Sequence, residues 1–308
     1  MDTIVGRLKN AFETGGVSEI IRKIFFKSIY DFNKKKILRD ICDSQYEFGL
    51  NRTLERPVSV IVSLTTYPKR FQYLELCLKS LILQEEKPDH IIVYLGNDSC
   101  EMLLPEYIKK FEHYGIEFKI DKEKNLRSHK KYFYAMQDFP ESVVITADDD
   151  IVYPKNWVRS LMDSYRNFPK CISARRVHLI KKDNDGNLEL YNHWIDQYRK
   201  ELNPSNAIIA TGNSGILYPP HSIDERAFDV EAIQKYCFEA DDIWLKCMAM
   251  LKGTKYVWVP NNEVDLPEIE SGQSTCLSKE NVVKNKNDEY LHSVMVKYGI
   301  RDEDFFIN

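Results

Sequence analysis

The sequence predicts an α/β fold: a mostly parallel sheet flanked by helices, preceded by an N-terminal helical extension. Three observations carry this. Val/Ile-rich runs of strand length at 58–64, 90–95, 116–120 and 143–147 alternate with segments whose apolar residues recur at helical spacing. The strand–turn–helix–strand order favours parallel pairs joined by right-handed crossovers. The fourth run ends in three consecutive carboxylates, Asp148, Asp149 and Asp150, and open α/β sheets bind ligands outside the carboxyl ends of their strands.

Taken in order, residues 1–56 form the extension and 57–308 the main domain. Val17, Ile20, Ile21, Ile24, Phe25 and Phe32 fall largely on one side of a helix, with Arg22, Lys23 and Lys27 on the other. From Val17 to Arg39 there are seven Lys and Arg against Glu19 and Asp31. Such a basic amphipathic helix either lies on an anionic membrane surface or packs on the main domain with its basic face in solvent. Arg56-Pro57 enters the main domain. Val58–Leu64 is the first strand, the Thr65–Arg70 turn follows, and Leu74, Leu78, Leu81 and Ile82 mark a helix. His90–Leu95 is the second strand, with Asn97-Asp98 at its end. Pro105–Tyr114 reads as a helix, Ile116–Ile120 as a strand and Lys130–Phe139 as a helix stopped by Pro140.

After the acids, a helix is expected from Tyr153-Pro154 to about Phe168, then a strand from Cys171 to Val177. Ile208–Ala210 leads into Thr211-Gly212-Asn213-Ser214-Gly215, whose two glycines allow close backbone approach. Ala240-Asp241-Asp242 opens a helix to Leu251, Tyr256–Val259 is a late strand, 261–288 reads as an irregular loop or lid, and Glu289–Tyr298 as the last helix.

The totals exclude several classes. A formal charge of −4, with Lys and Arg scattered, offers no field for nucleic acid. Seven cysteines without a CxxC pair suit free thiols in a reducing, cytoplasmic compartment. No signal peptide and no spanning helix is evident, which leaves a peripheral position at the inner face of a membrane open.

Two acidic groups carry the chemistry. In extended geometry Asp148 and Asp150 point one way and Asp149 the other. Hard oxygen ligands of this kind suit Mg²⁺ or Mn²⁺; the alternative is a solvated turn or helix cap. The second group, Asp241-Asp242, sits at a helix start, where the dipole keeps a carboxylate ionised; the alternative there is simple N-capping.

Ser63–Arg70, the run Ile145–Pro154, the Gly212–Tyr218 run and Ala240–Leu245 occur in an order that resembles a GT-A fold glycosyltransferase, a Rossmann-like fold, of the type associated with bacterial surface polysaccharide. The resemblance covers roughly 57–298. It implies a nucleotide-sugar donor, Mn²⁺ or Mg²⁺, and a saccharide or lipid-linked acceptor. By position it implies Asp150, with Asp148, as metal ligands. It places Thr65, Thr66, Arg70, Asp98, Lys130, Asp148, Asp149 and Gly212 on the donor side. In inverting members an acidic pair at a helix start supplies the general base. That role falls to Asp242, with Asp241 as its orienting or acceptor-binding neighbour, although the pair is more usually Glu-Asp. Retaining enzymes share the fold and the metal motif. His193 and Trp194 are candidates for the acceptor site, because aromatic faces pack on sugar C–H surfaces; a core tryptophan is the competing reading. A sugar nucleotidyltransferase is disfavoured by the absence of glycine from Ser63–Pro68. The rival from another class is a non-catalytic carbohydrate-binding or scaffold protein.

Overall fold

The computed structural model describes residues 27–96, 104–120, 126–200, 203–261, 265–269 and 286–307. Nine strands are assigned among them: β1 (Val60–Thr66), β2 (His90–Leu95), β3 (Ile116–Ile120), β4 (Val143–Ala147), β5 (Ile172–Ala174), β6 (Val177–Leu179), β7 (Ile208–Ala210), β8 (Ile216–Tyr218) and β9 (Tyr256–Trp258). The main sheet has the order β3-β2-β1-β4-β8-β5-β9, and β6 pairs with β7 in a separate ribbon. The predicted parallel unit is present: β1 pairs parallel with both β2 and β4, and β2 with β3. β4 is therefore an interior strand. Its other neighbour, β8, runs antiparallel to both β4 and β5.

Register sets the site. Leu64 is level with Ala147, so the turn after β1 and the acids after β4 emerge side by side. Thr146 is level with Ile216. Because β8 runs the other way, its incoming turn, 211–215, lands beside the same acids.

The helices are α1 (through residues 27–42), α2 (Phe71–Ile82), α3 (Glu106–Lys109), α4 (Lys130–Asp138), α5 (Trp157–Asn167), α6 (Val230–Tyr236), α7 (Asp241–Lys252) and α8 (Lys286–Tyr298). Two large apolar clusters hold them to the sheet. One joins α2, α5 and the interior of β1, β2 and β4; the other gathers α6, α7, α8 and the later strands. Ile37 and Ile41 of α1 are buried in the first cluster, so this end of the extension packs on the domain. Phe32 is 70% exposed. The rest of the predicted amphipathic helix, to residue 26, lies outside the described residues.

Several boundaries differ from expectation. The helix after the acids starts at Trp157 rather than Tyr153, because Tyr153 is committed elsewhere. Its N–H donates to Ser80 Oγ at 3.1 Å and its hydroxyl accepts from the Asp148 N–H at 2.7 Å. The strand expected over 171–177 is split into β5 and β6. Between them, the Arg175 carbonyl accepts from Trp258 Nε1 at 3.2 Å and Asn261 Nδ2 at 2.8 Å instead of a ladder partner. Within the loop expected at 261–288, residues 265–269 are pinned to the chain after β4. There the Val152 N–H donates to the Pro267 carbonyl at 3.0 Å and the Ile269 N–H to the Asp150 carbonyl at 2.8 Å. The final helix begins at Lys286, three residues early.

Candidate active site

The carboxyl ends of β1 and β4, the 211–215 turn and the start of α7 meet at one place. On the β1 side, Arg70 turns back onto the acids. Its Nε lies 3.2 Å from Asp149 Oδ1, and its guanidinium also pairs with Asp150. Asp149 is buried; burial first, opposed by Arg70, moves its carboxyl up to about 7. Asp148 and Asp150 are partly exposed.

On the other side, Lys131 of α4 reaches 2.9 Å from Asp148 Oδ1 and 3.0 Å from Asp241 Oδ2. Asp241 and Asp242 occupy the first turn of α7, and Ala240 takes the N-cap position, so neither aspartate is a cap. This removes the capping alternative. The Gly212 N–H donates to Asp242 Oδ2 at 3.0 Å. The two neighbouring carboxyls are driven apart. Burial raises that of Asp241, but Lys131, His129 and the Ser128 hydroxyl together more than offset it and the pKa ends below the usual range. Burial and the adjacent Asp241 charge push Asp242 up to about 7. A split of this kind between adjacent acids is how one carboxylate becomes a proton acceptor near neutral pH.

The turn that holds Asp242 is itself held by a close approach. Gly215 has φ +95°, and a Cβ there would come within 2.4 Å of Trp157 Nε1. The same indole N–H donates to the Ser214 carbonyl at 2.8 Å. Only glycine satisfies both the backbone angle and the ring.

Among the described residues, no three His, Cys, Asp or Glu side chains form a ready metal cage. Mg²⁺ and Mn²⁺ sites built from one or two carboxylates plus substrate phosphates do not need one. Asp148 and Asp150 fit such a site. Burial and then the charge of Asp148 raise the Asp150 carboxyl, and a cation would offset both.

Asp148, Asp150, Arg70, Gly212, Asp241 and Asp242 converge. Thr65 lies at the same sheet edge, but its hydroxyl donates to the Tyr94 carbonyl at 2.9 Å. Thr66 is buried under the acids, so its side chain is not open to a nucleotide, and Asp149 is likewise a buried partner of Arg70. Lys130 is buried at the start of α4; the α4 lysine that pairs with Asp148 is its neighbour Lys131. Trp194 is 6% exposed, packs 4.8 Å from the Tyr191 ring and donates its indole N–H to the Glu189 carbonyl at 2.8 Å. Its faces belong to the core, which corrects the sugar-stacking expectation. His193 is exposed next to it. Asp98 lies outside the described residues.

Sequence reading missed three participants. Lys131 differs from Lys130 by one residue, roughly 100° of helix, and nothing local chooses between them. Glu268 pairs with Ile151 in an isolated bridge beside the acids. Arg176 lies between β5 and β6. It donates to Thr211 Oγ1 at 2.8 Å and pairs with Asp196 at 3.1 Å and Asp265 at 3.2 Å, which ties the turn before Gly212 to the 265–269 segment.

The sequence profile of glycosyl transferase family 2 matches residues 59–221, just over half of the chain. Comparison with curated proteins finds no match. Similar solved structures include S. aureus TarS 1–349, at 13% identity and TM-score 0.43 over 77% of this chain and 71% of that one. Its complex with UDP-GlcNAc aligns at 16% identity and TM-score 0.32 over 38% of this chain and 34% of that one, so about a third of that chain is spanned. The mannosyltransferase PcManGT from Pyrobaculum calidifontis, in complex with GDP-Man and Mn²⁺, aligns at 11% identity and TM-score 0.44 over 89% of this chain and 79% of that one.

Proposed function

The chain belongs to glycosyl transferase family 2, and from that premise we propose that it moves a sugar from a nucleotide-sugar donor to an acceptor hydroxyl with inversion at the anomeric carbon. The observation that supports this reading is the joined pair of acidic groups. Asp148 on the donor side and Asp241-Asp242 on the acceptor side share Lys131, and Asp242 is held by the Gly212 amide.

Asp242 acts as general base. One of its oxygens is occupied by the Gly212 N–H, and the other takes the proton of the acceptor hydroxyl. The acceptor oxygen then attacks the anomeric carbon as the bond to the nucleoside diphosphate breaks. Asp241, kept ionised by Lys131, orients the pair. Asp150, with Asp148, would hold Mn²⁺ or Mg²⁺, which when bound neutralises charge on the departing diphosphate. Arg70 pairs with Asp149 and Asp150 at the same strand end.

The acceptor is a saccharide or a lipid-linked saccharide of surface polysaccharide synthesis, handled at the cytoplasmic face of a membrane. No helix among the described residues is long and apolar enough to cross a membrane. The basic exposed face of α1, with Phe32, would instead rest on anionic lipid. Deleting 1–42 should abolish binding to phosphatidylserine vesicles; undiminished binding rules that contact out. The function itself is tested by incubating the protein with UDP-, GDP- and dTDP-sugars and Mn²⁺. Diphosphate release that depends on an acceptor, with inverted product configuration by NMR, is the expected result. A retained configuration removes Asp242 from its role.

A further inference from the structure

Lys131 sits where four elements meet. Its ammonium joins the end of β4, through Asp148, to the start of α7, through Asp241. The side chain is 8% exposed. A Cβ on Gly212 would come within 2.9 Å of the Lys131 Nζ and 3.4 Å of Asp242 Oδ1. A bare backbone at 212 is therefore what lets the cation and the turn share this space, while the same backbone donates to Asp242.

Three carboxylates thus surround one fixed cation in a largely buried site. Without it, Asp148, Asp241 and Asp242 would repel one another where screening by water is weak. Removing one partner of a buried ionic cluster leaves uncompensated charge, which is strongly unfavourable. Relief comes when a carboxylate takes up a proton, which weakens it as an acceptor, or swings away. Asp242, tied by one hydrogen bond to a turn that has no side chain at 212, is the member free to do so.

We infer that Lys131 is a positioning residue: its ammonium balances the charge of Asp148, Asp241 and Asp242 and so keeps the Asp242 carboxylate on the Gly212 amide. The final consequence, that this orientation serves proton transfer from the acceptor, rests on the function proposed above. Lys131 need not touch the acceptor; it acts through the two aspartates of α7.

The test reads the Gly212 amide directly, by hydrogen exchange on the full chain. Lys131→Met keeps the apolar stem and removes the charge. Exchange at Gly212 should speed up by about tenfold or more while amides of α2 stay as they were. Adding Asp241→Asn removes one repelling carboxylate and should bring exchange back to within about threefold of the parent. An unchanged Gly212 rate in Lys131→Met overturns the inference. So does failure of Asp241→Asn to restore protection, since lost packing is not repaired by deleting a charge. If Lys131→Met does not fold, the double variant is expected to fold; a double variant that also fails overturns it. An Asp242→Asn enzyme with normal sugar transfer would remove the base assignment and leave the exchange result standing.

Discussion

Asp242 accepts a hydrogen bond from the Gly212 amide at 3.0 Å, although the two lie on α7 and on the turn before β8. The contact exists because β8 runs antiparallel beside β4 and delivers its leading turn to the acid-bearing end of the sheet. It places the candidate base within reach of the donor-side aspartates and fixes one of its two oxygens.

The pH profile follows from the sign of the Asp242 shift. Its carboxyl is raised to about 7, and a general base works only when deprotonated. Transfer should therefore be full above about pH 7 and fall roughly tenfold per pH unit below it. Asp242→Asn should cost about 10²–10⁴ in kcat and abolish that acid limb. A profile in kcat/KM that stays flat down to pH 5 would contradict the assignment.

Asp150→Ala separates binding from folding. Burial and the nearby Asp148 charge disfavour the Asp150 carboxylate in the free protein, so the unliganded melting temperature should hold steady or rise. The stabilisation by a nucleotide sugar with Mn²⁺, about 2.7 kcal/mol at a hundred times Kd, should disappear. Differential scanning fluorimetry with and without Mn²⁺ reads both quantities. An intact ligand shift in the variant would exclude Asp150 from the donor site.

Gly215→Ala tests the turn. Its Cβ would meet the buried Trp157 ring, with atoms at 2.4–2.7 Å, in a backbone conformation at φ +95°. Overpacking and the left-handed penalty together should cost roughly 2–4 kcal/mol. Urea unfolding should show a lower midpoint with an unchanged slope. A midpoint equal to the parent's would mean that Trp157 can move aside.

Lys246 makes a prediction away from the site. It is fully buried in α7, donates to the Asn206 carbonyl at 2.8 Å and lies 4.7 Å from the Tyr256 ring centre. Burial lowers its pKa to about 7, against roughly 10.4 for an unfolded lysine. Between these values the unfolded chain binds more protons, so stability should rise with pH across that window and be lowest below pH 7. Lys246→Met should flatten this dependence and raise the melting temperature at pH 6. A Tm that drops at pH 6 would show that the hydrogen bond outweighs the buried charge.

Local pattern carried much of this protein. Strand-length Val/Ile runs and helical spacing are properties of consecutive residues, so β1 to β4, α2 and α7 were legible from the chain alone. So were the strand-end acids and the pair Asp241-Asp242, because their meaning depends on the element each one ends or begins. Long-range pairing decided the rest. No periodicity announces that the three residues of β8 insert antiparallel between β4 and β5, yet that insertion brings Gly212 to Asp242. Choosing Lys131 over Lys130 requires the phase of α4 against the sheet. Trp194 as core, and 265–269 as a wall beside Asp150, depend on partners far away along the chain, as in the bridge between Ile151 and Glu268. Apolar spacing records which face of an element is buried; it does not record what that face is buried against.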